Sequence, residues 1–561
     1  MKVIKKRLKN YSSRLAKTAL AAALFFSAFA GAAHADAAND RGSAKNVILL
    51  IPDGMGISYL TTTRIFKGEE LSFERYVKGL MKTYSSDTNV TDSAAAGTAM
   101  ATGYKTNNGM ISVTPDGLEP DSILDAARES GKGTGLVATS RITHATPAVF
   151  VAHDPSRGNE VALAQDYIPN VDVILGGGRD MFMTEADGGR QPERDLIAEA
   201  IDAGYEYIEH RDQIADVTSD KVLGLFAMTD LKYEIDRDTE SVPSLAEMTE
   251  LAINSLSQND EGFFLMVEGS QIDWAGHAND PIALIHDMLA FEEAFDVALE
   301  FARNDEDTLL VVVGDHETGG LNVGNTPGGY MENIQVLRNA TGSSNAVTEA
   351  LIDAAVQTDI SYATEQNGEY YVPLREIVSS LNGELELKGR TVNLDVLGTS
   401  TTISLNGLPK TFDGPLVLDR GTTYVNVQHF AELLGLQAGI GTSEDKTTAY
   451  FVDIQAAAGP ILGLDLNEDD FTTLTSVNWD QRGSLTDEVG TVVSAHALLS
   501  WGSRHHTGEE LPLYAYGAGA NQFVGLIDNT DLPRILSYLM DVNLFENEDE
   551  FMQKIEERRS Y

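Results

Sequence analysis

The chain contains no cysteine in 561 residues. No disulfide can staple it, and any metal site must use histidine and carboxylates without thiolate. Positive charge is scarce: 40 lysines and arginines stand against 85 acids, a formal net charge of −45. Such a balance argues against nucleic acid and anionic membrane surfaces as partners. The acids are spread along the chain, not gathered in a tail, which suits high salt where self-repulsion is screened. A halophilic or marine setting is therefore expected. Long apolar runs are missing after the first 30 residues. The one present, ALAAALFFSAFA (19–30), is too short to span a bilayer comfortably and follows a basic leader, Lys2, Lys5, Lys6, Arg7, Lys9, Arg14 and Lys17. The small-residue stretch AHA at 33–35 completes the pattern of a secretory signal peptide. Residues 1–35 are expected to be removed, leaving a secreted, extracellular or periplasmic chain that starts near Asp36. Losing those seven positive charges takes the net charge from −45 to about −52.

What is present is an alternation of apolar strands and amphipathic helices. At this length one large domain with insertions, or several domains, is the prior. Strands read at NVILLI (46–51), TGLVATS (134–140), VDVILGGG (171–178), GFFLMVEGS (262–270) and TLLVVV (308–313). Helices read at 122–131, 243–256 and 284–302. Continuously apolar strands between helices predict an α/β fold, a mostly parallel sheet covered on both faces. Ligands of such sheets lie beyond the C-terminal strand ends. Three strands end in ionisable residues there: Asp53, Glu268, and the pair Asp315–His316.

Between about 368 and 453 the pattern changes. GEYYVPLREIVSSLNG (368–383) aligns with GTTYVNVQHFAELLGL (421–436), 53 residues on. Each copy reads as a short strand and a helix, so two copies form a small α+β repeat domain. The α/β pattern resumes near DEVGTVVSAHALLSWG (487–502). The repeat therefore looks inserted into a host domain.

The residues that carry chemistry cluster in short motifs. EGSQIDWAGH sets Asp273 and His277 four apart, on one helix face and close enough to hold one ion. GDHETGG offers Asp315 and His316 at a strand exit, and SRHHTGEELPLYAYG offers His506. With Asp53, these residues could serve two zinc ions through nitrogen and oxygen alone. Two ions about 4 Å apart can clamp an in-line phosphoryl displacement. Glu268, Thr146 and Asp53 suit a harder, all-oxygen Mg²⁺ site. Arg157 fits a bidentate grip on phosphate oxygens. VTDSAAAGTA (90–99) places Asp92 and Ser93 before a small-residue helix. Asp92 and Ser93 read as cap residues, and Ser93 also as a nucleophile helped by the helix N-terminus.

In order and spacing, PDGMG, TDSAAAGTA, THATPA with HDPSRG, EGSQIDWAGH, GDHETGG and HTGEELPLYAYG resemble the signatures of alkaline phosphatases, across roughly 45–324 and 487–540. The resemblance implies a three-layer sandwich, phosphate monoesters as substrates, two Zn²⁺ and one Mg²⁺, and a homodimer, although a charge near −52 opposes association at low salt. It implies that Ser93 becomes phosphorylated, that Asp92 orients Arg157, and that Asp273, His277 and His506 hold one zinc. Asp53, Asp315 and His316 would hold the second zinc beside Ser93, and Asp53, Thr146 and Glu268 the magnesium. Where enteric bacterial members carry Asp and Lys, this chain has His144 and Trp274, as in marine and cold-adapted members. That change implies weaker magnesium retention and a looser grip on product phosphate. The inserted repeat resembles the copper amine oxidase N-terminal-like domain. The expected division is a catalytic domain in 36–361 and 456–561 around an insert at 362–455. The competing readings are a phosphodiesterase of the same superfamily, which commonly uses Thr as nucleophile, and a surface-binding protein working through the repeat.

Overall fold

The computed structural model describes residues 41–559 apart from 326, 328 and 413. The expected leader, 1–35, and the start at Asp36 lie outside the described residues. A ten-stranded sheet runs through the molecule. Its strands are β1 (Asn46–Ile51), β2 (Val77–Lys82), β3 (Gly133–Arg141), β4 (Val173–Gly177), β5 (Glu206–Ile208), β6 (Val222–Leu225), β7 (Phe263–Glu268), β8 (Thr308–Val313), β9 (Leu511–Gly517) and β10 (Gly525–Asp528). The spatial order is β10-β2-β9-β8-β1-β7-β3-β4-β6-β5. Only β9 runs against its neighbours, β2 and β8; the other pairings are parallel.

The apolar strands explain the layering. Successive side chains point to opposite faces. In β1, Ile48 and Leu50 enter one core, while Val47, Leu49 and Ile51 enter the other. In β8, Leu310 and Val312 divide in the same way from Leu309, Val311 and Val313. Both faces must be covered, and helices do so. Four helices matter most: α1 (Ser93–Thr102), α2 (Leu245–Leu256), α3 (Gln271–His277) and α4 (Pro281–Asn304). α2 and α4 cover the first core, and α1 with the helix Asp531–Met540 covers the second. The start of α4 is fixed locally: Asp280 accepts from the N–H groups of Ile282 and Ala283, and Pro281 sits at the first helical position. The fold is thus the expected three-layer α/β sandwich with a mostly parallel sheet.

A third apolar core is drawn only from residues 360–451 and is surrounded by small antiparallel sheets. Its two repeat copies are the strand Glu369–Pro373 with helix Leu374–Ser380, and the strand Thr422–Asn426 with helix Val427–Leu433. The strands pair antiparallel with Val372 opposite Val425, residues separated by the repeat offset, so a local twofold passes between them. Each copy satisfies the strand edge the other leaves open. Against the rest of the chain, Gly439 lies under the Trp479 ring, where a Cβ would approach ring carbon to 2.2 Å. The return to helices begins at Ile454, earlier than the pattern near 487 suggests. The helix Ile454–Leu462 contains Pro460 and Gly459, which break its sequence signature.

Candidate active site

The C-terminal ends of β1, β3, β7 and β8 open on one side of the sheet and bring the motif residues together. Asp53 follows β1, Glu268 ends β7, Asp315 and His316 follow β8, and Thr146 lies in the short helix Ala145–Ala148 that follows β3. α3 leaves β7 and carries Asp273 and His277 one turn apart. Gly54 lets these segments meet: its φ is +76°, and a Cβ would sit 2.8 Å from the Asp273 Cα.

Asp53, Asp315 and His316 are fully buried. His316 Nε2 stands 3.5 Å from Asp53 Oδ1 and 3.3 Å from Asp315 Oδ2. Neither of those oxygens has a hydrogen-bond partner, nor does Glu268 Oε1. Their other oxygens are satisfied. Asp315 Oδ1 accepts from the Gly54 and His316 N–H groups, and Asp53 Oδ2 accepts from Thr146 Oγ1 at 3.3 Å. Buried carboxylate oxygens left bare and turned towards one another are costly unless a cation meets them. Burial raises all three acids, and neighbouring carboxylates add to it: Asp315, Asp273 and Glu268 lift Asp53 well above the carboxylate range, Asp315 helps lift Glu268 to about 7, and Asp273 helps lift Asp315 to about 6.

The second cluster makes the same demand through nitrogen. His277 Nδ1 lies 2.7 Å from the Arg504 carbonyl, and His506 Nδ1 lies 2.8 Å from the Thr91 carbonyl. A carbonyl only accepts, so each ring carries its proton on Nδ1. The two Nε2 lone pairs then face each other at 3.2 Å, beside Asp273 at 3.4 and 3.6 Å. An extra proton or a metal ion relieves that contact. Burial opposes charge on His277, but the Asp273 hydrogen bond and charge prevail and raise it to about 9. Burial likewise works to raise Asp273, yet His277 and the other histidines hold it below its usual range. Imidazoles that give their second nitrogen to backbone carbonyls are oriented as metal ligands commonly are. Nitrogen and oxygen donors without sulfur suit zinc, and the Asp53–Thr146–Glu268 oxygens suit magnesium. Asp273, His316 and His506 form one group able to hold an ion, and Asp53, Asp315 and His316 another.

Thr318 is a residue that motif reading passed over, although it lies inside GDHETGG. Its hydroxyl donates to Asp273 Oδ1 and stands 3.3 Å from His316 Nδ1. Having given its proton to Asp273, it accepts from His316 Nδ1–H, which leaves the His316 Nε2 lone pair free. That nitrogen lies 3.1 Å from Ser93 Oγ. Ser140 and Ser270, also unmarked by the motifs, support Glu268: Ser140 Oγ lies 3.5 Å from Glu268 Oε2 and 3.1 Å from Ser270 Oγ.

Ser93 opens α1. Asp92 is its N-cap and accepts from Ala95 N–H through Oδ1 at 2.9 Å. Asp92 Oδ2 takes Arg157 Nη1 at 3.0 Å and Gly109 N–H at 3.0 Å. One carboxylate therefore both starts the helix and aims the guanidinium. All ten residues of α1 are buried, and its small side chains permit that; a Cβ on Gly97 would meet Val149 at 2.9 Å. Arg157 Nη2 lies 2.9 Å from His144 Nε2. Arginine only donates, so His144 accepts there. Burial and then the Arg157 charge lower His144 to about 3, which keeps it neutral. The Trp274 ring meets His144 edge-on at 5.7 Å between centroids. Every residue singled out from the sequence thus lies in this centre or, for His144 and Trp274, beside it.

The fold and donor set define a class: an α/β protein with a nitrogen–oxygen metal centre beside a serine at a helix start. Comparison with known proteins gives the family. The family model described as alkaline phosphatase matches residues 44–391 and 422–542. The chain is 33% identical over 559 residues to alkaline phosphatase 3 of Bacillus subtilis, covering 96% of this chain and 99% of that one. It is 40% identical over 349 residues to the repressible alkaline phosphatase of Saccharomyces cerevisiae, covering 55% and 62%. The crystal structure of the cold-active alkaline phosphatase of a psychrophilic Shewanella superposes with a TM-score of 0.66 at 29% identity, covering 88% of this chain and 99% of that one. The Thermus thermophilus alkaline phosphatase gives 0.65 at 25%, covering 92% and 95%. The chain belongs to the alkaline phosphatase family, metal-dependent enzymes that hydrolyse phosphate monoesters.

Proposed function

We propose that the protein is a secreted alkaline phosphatase that converts phosphate monoesters to alcohol and inorganic phosphate through a phosphoseryl intermediate on Ser93. Asp273, His277 and His506 would hold one Zn²⁺; Asp53, Asp315 and His316 a second, with Ser93 as a further ligand. Asp53, Thr146 and Glu268 would hold Mg²⁺. Bound there, such ions supply positive charge that favours ionised hydroxyls and stabilises the oxyanions of an in-line displacement.

The chain's own residues do the rest. Ser93 Oγ attacks phosphorus; the new O–P bond forms as the bond to the alcohol oxygen breaks, and the alcohol leaves with a proton. Water then attacks the phosphoserine, releasing phosphate and restoring the hydroxyl. Arg157 spends one N–H on Asp92 and one on His144, which fixes its plane and leaves further N–H groups for phosphate oxygens. The N-terminus of α1 adds positive potential at the same place. The alcohol portion is outside this grip, which supports broad specificity.

The observation that carries the reading is Ser93 Oγ at 3.1 Å from His316 Nε2, at a helix start among bare buried carboxylate oxygens. The basic, apolar leader supports secretion. The separate apolar core supports an insert at 362–455, similar to the copper amine oxidase N-terminal-like domain, within a catalytic domain of 36–361 and 456–561. The test is hydrolysis of p-nitrophenyl phosphate at alkaline pH in high salt, with chelator, then with zinc and magnesium restored, beside Ser93→Ala. Activity lost to chelator, recovered with metal and abolished in Ser93→Ala is the expected result. Activity that survives in Ser93→Ala overturns the phosphoserine route.

A further inference from the structure

Beside the centre lies a cleft of about 320 Å³ that the chemistry above does not use. Trp274 forms part of its wall. Two side chains connect it to the phosphate grip: the Trp274 ring lies against His144, and His144 accepts from Arg157. Lys232 and Arg482 also line the cleft. In this acidic chain, the arginines around the centre are tied to carboxylates: Arg141 to Asp230 and Glu160, Arg157 to Asp92, Arg504 to Asp487. Lys232 and Arg482 are different. Both are exposed, and neither makes an ion pair or a side-chain hydrogen bond among the described residues.

The acids lining the cleft are largely spent. Asp230 gives both oxygens to Arg141, and Asp236 gives both to Ser343. Glu349 alone is left unpaired. Arg482 also begins the helix Arg482–His496, whose N-cap Gln481 makes no side-chain cap, so free N–H groups add to the positive potential. Two free cations and an aromatic wall, next to the place where phosphate is gripped, form a receptor for a second anion.

We propose that this cleft is a specificity subsite for the alcohol portion of the substrate, selecting phosphate monoesters that carry a second anionic group. While Arg157 holds the reacting phosphate, Lys232 and Arg482 take the distal anion, and Trp274 packs against the carbon skeleton between them. The inference rests on the phosphatase reading of the same centre and sharpens it from broad specificity to a graded preference.

The test uses fructose 1,6-bisphosphate and fructose 6-phosphate, which differ by one phosphate, with p-nitrophenyl phosphate as control. The intact enzyme is expected to favour the bisphosphate by about tenfold in kcat/KM, the scale of two partly exposed ion pairs. Lys232→Ala with Arg482→Ala should remove that preference and change fructose 6-phosphate and p-nitrophenyl phosphate less than twofold. Glu349→Gln should enlarge it. A preference within twofold in the intact enzyme, or one that persists in the double variant, overturns the subsite. If p-nitrophenyl phosphate is not hydrolysed at all, the phosphatase reading fails instead. Binding of the two sugar phosphates to Ser93→Ala, with and without the double variant, then decides the subsite without turnover. Weaker binding of the bisphosphate alone in the double variant supports it, and equal binding overturns it.

Discussion

Stripping the metals should leave a protein whose stability falls as pH rises from 6.5 to 9, and restoring them should abolish that fall. In the metal-free chain, the proton on His277 does part of a cation's work, lying between Asp273 and the His506 nitrogen. Its folded pKa is raised to about 9 from an ordinary 6.5. A raised pKa gives stability that is complete below the unfolded value and is lost as pH climbs through the folded one. At about 1.4 kcal/mol per pH unit per proton, His277 accounts for about 3 kcal/mol. Its side chain is 36% exposed, and solvent screening reduces this to about 2 kcal/mol. Glu268, raised to about 7, adds a smaller loss of the same sign up to neutrality. Below pH 6.5 the profile flattens, because His144 and His316 are held neutral and favour higher pH there, against the raised carboxylates. For a folded unit of about 500 residues, 2 kcal/mol corresponds to a fall of roughly 2 °C in the melting temperature. The assay is thermal unfolding in chelator and in zinc plus magnesium, at half-unit steps from pH 6.5 to 9, with His277→Gln as control. Above pH 7, where Glu268 no longer contributes, the metal-free slope should vanish in His277→Gln. A metal-free melting temperature that stays level or rises, or one with the same slope when metal is present, refutes the reasoning.

Three further outcomes follow from the same geometry. Thr318→Val removes the hydroxyl that fixes both Asp273 and the His316 tautomer, so metal retention in chelator competition should weaken by about 10–100-fold; unchanged retention would count against that role. Gly54→Ala forces a Cβ to within 2.8 Å of the Asp273 backbone at positive φ, and should cost about 2 kcal/mol or more in unfolding experiments together with most activity. A variant that melts and turns over like the parent would show that the loop yields. His144→Asp with Trp274→Lys puts a carboxylate against Arg157 and a lysine cation against that carboxylate, and inorganic phosphate should then inhibit about tenfold more tightly; equal inhibition constants would sink the link between these residues and product grip.

The sequence by itself determined five of the ten strands of the main sheet, because nearly continuous apolar runs such as NVILLI and TLLVVV bury on both faces wherever they are placed in a sheet; β2, β5, β6, β9 and β10 are short or lie towards the sheet's edges and carry no such run. It also determined the local pairings: Asp273 with His277 one helical turn apart, Asp92 capping the helix that Ser93 opens, and two strand–helix copies 53 residues apart. The early helix at Ile454 escaped it because a glycine and a proline interrupt the apolar pattern. What only the tertiary structure decided are contacts between segments that share no local signal. Ser93 meets His316 across 223 residues because β8 lies beside β1 and α1 shares the apolar core on one face of both strands. Two backbone carbonyls, of Arg504 and Thr91, set the imidazole tautomers, and a carbonyl has no residue type to read. Lys232, Trp274 and Arg482 converge on one cleft from three distant segments. Spacing along a chain fixes a face of a helix or strand, whereas the order of strands in the sheet fixes which faces meet.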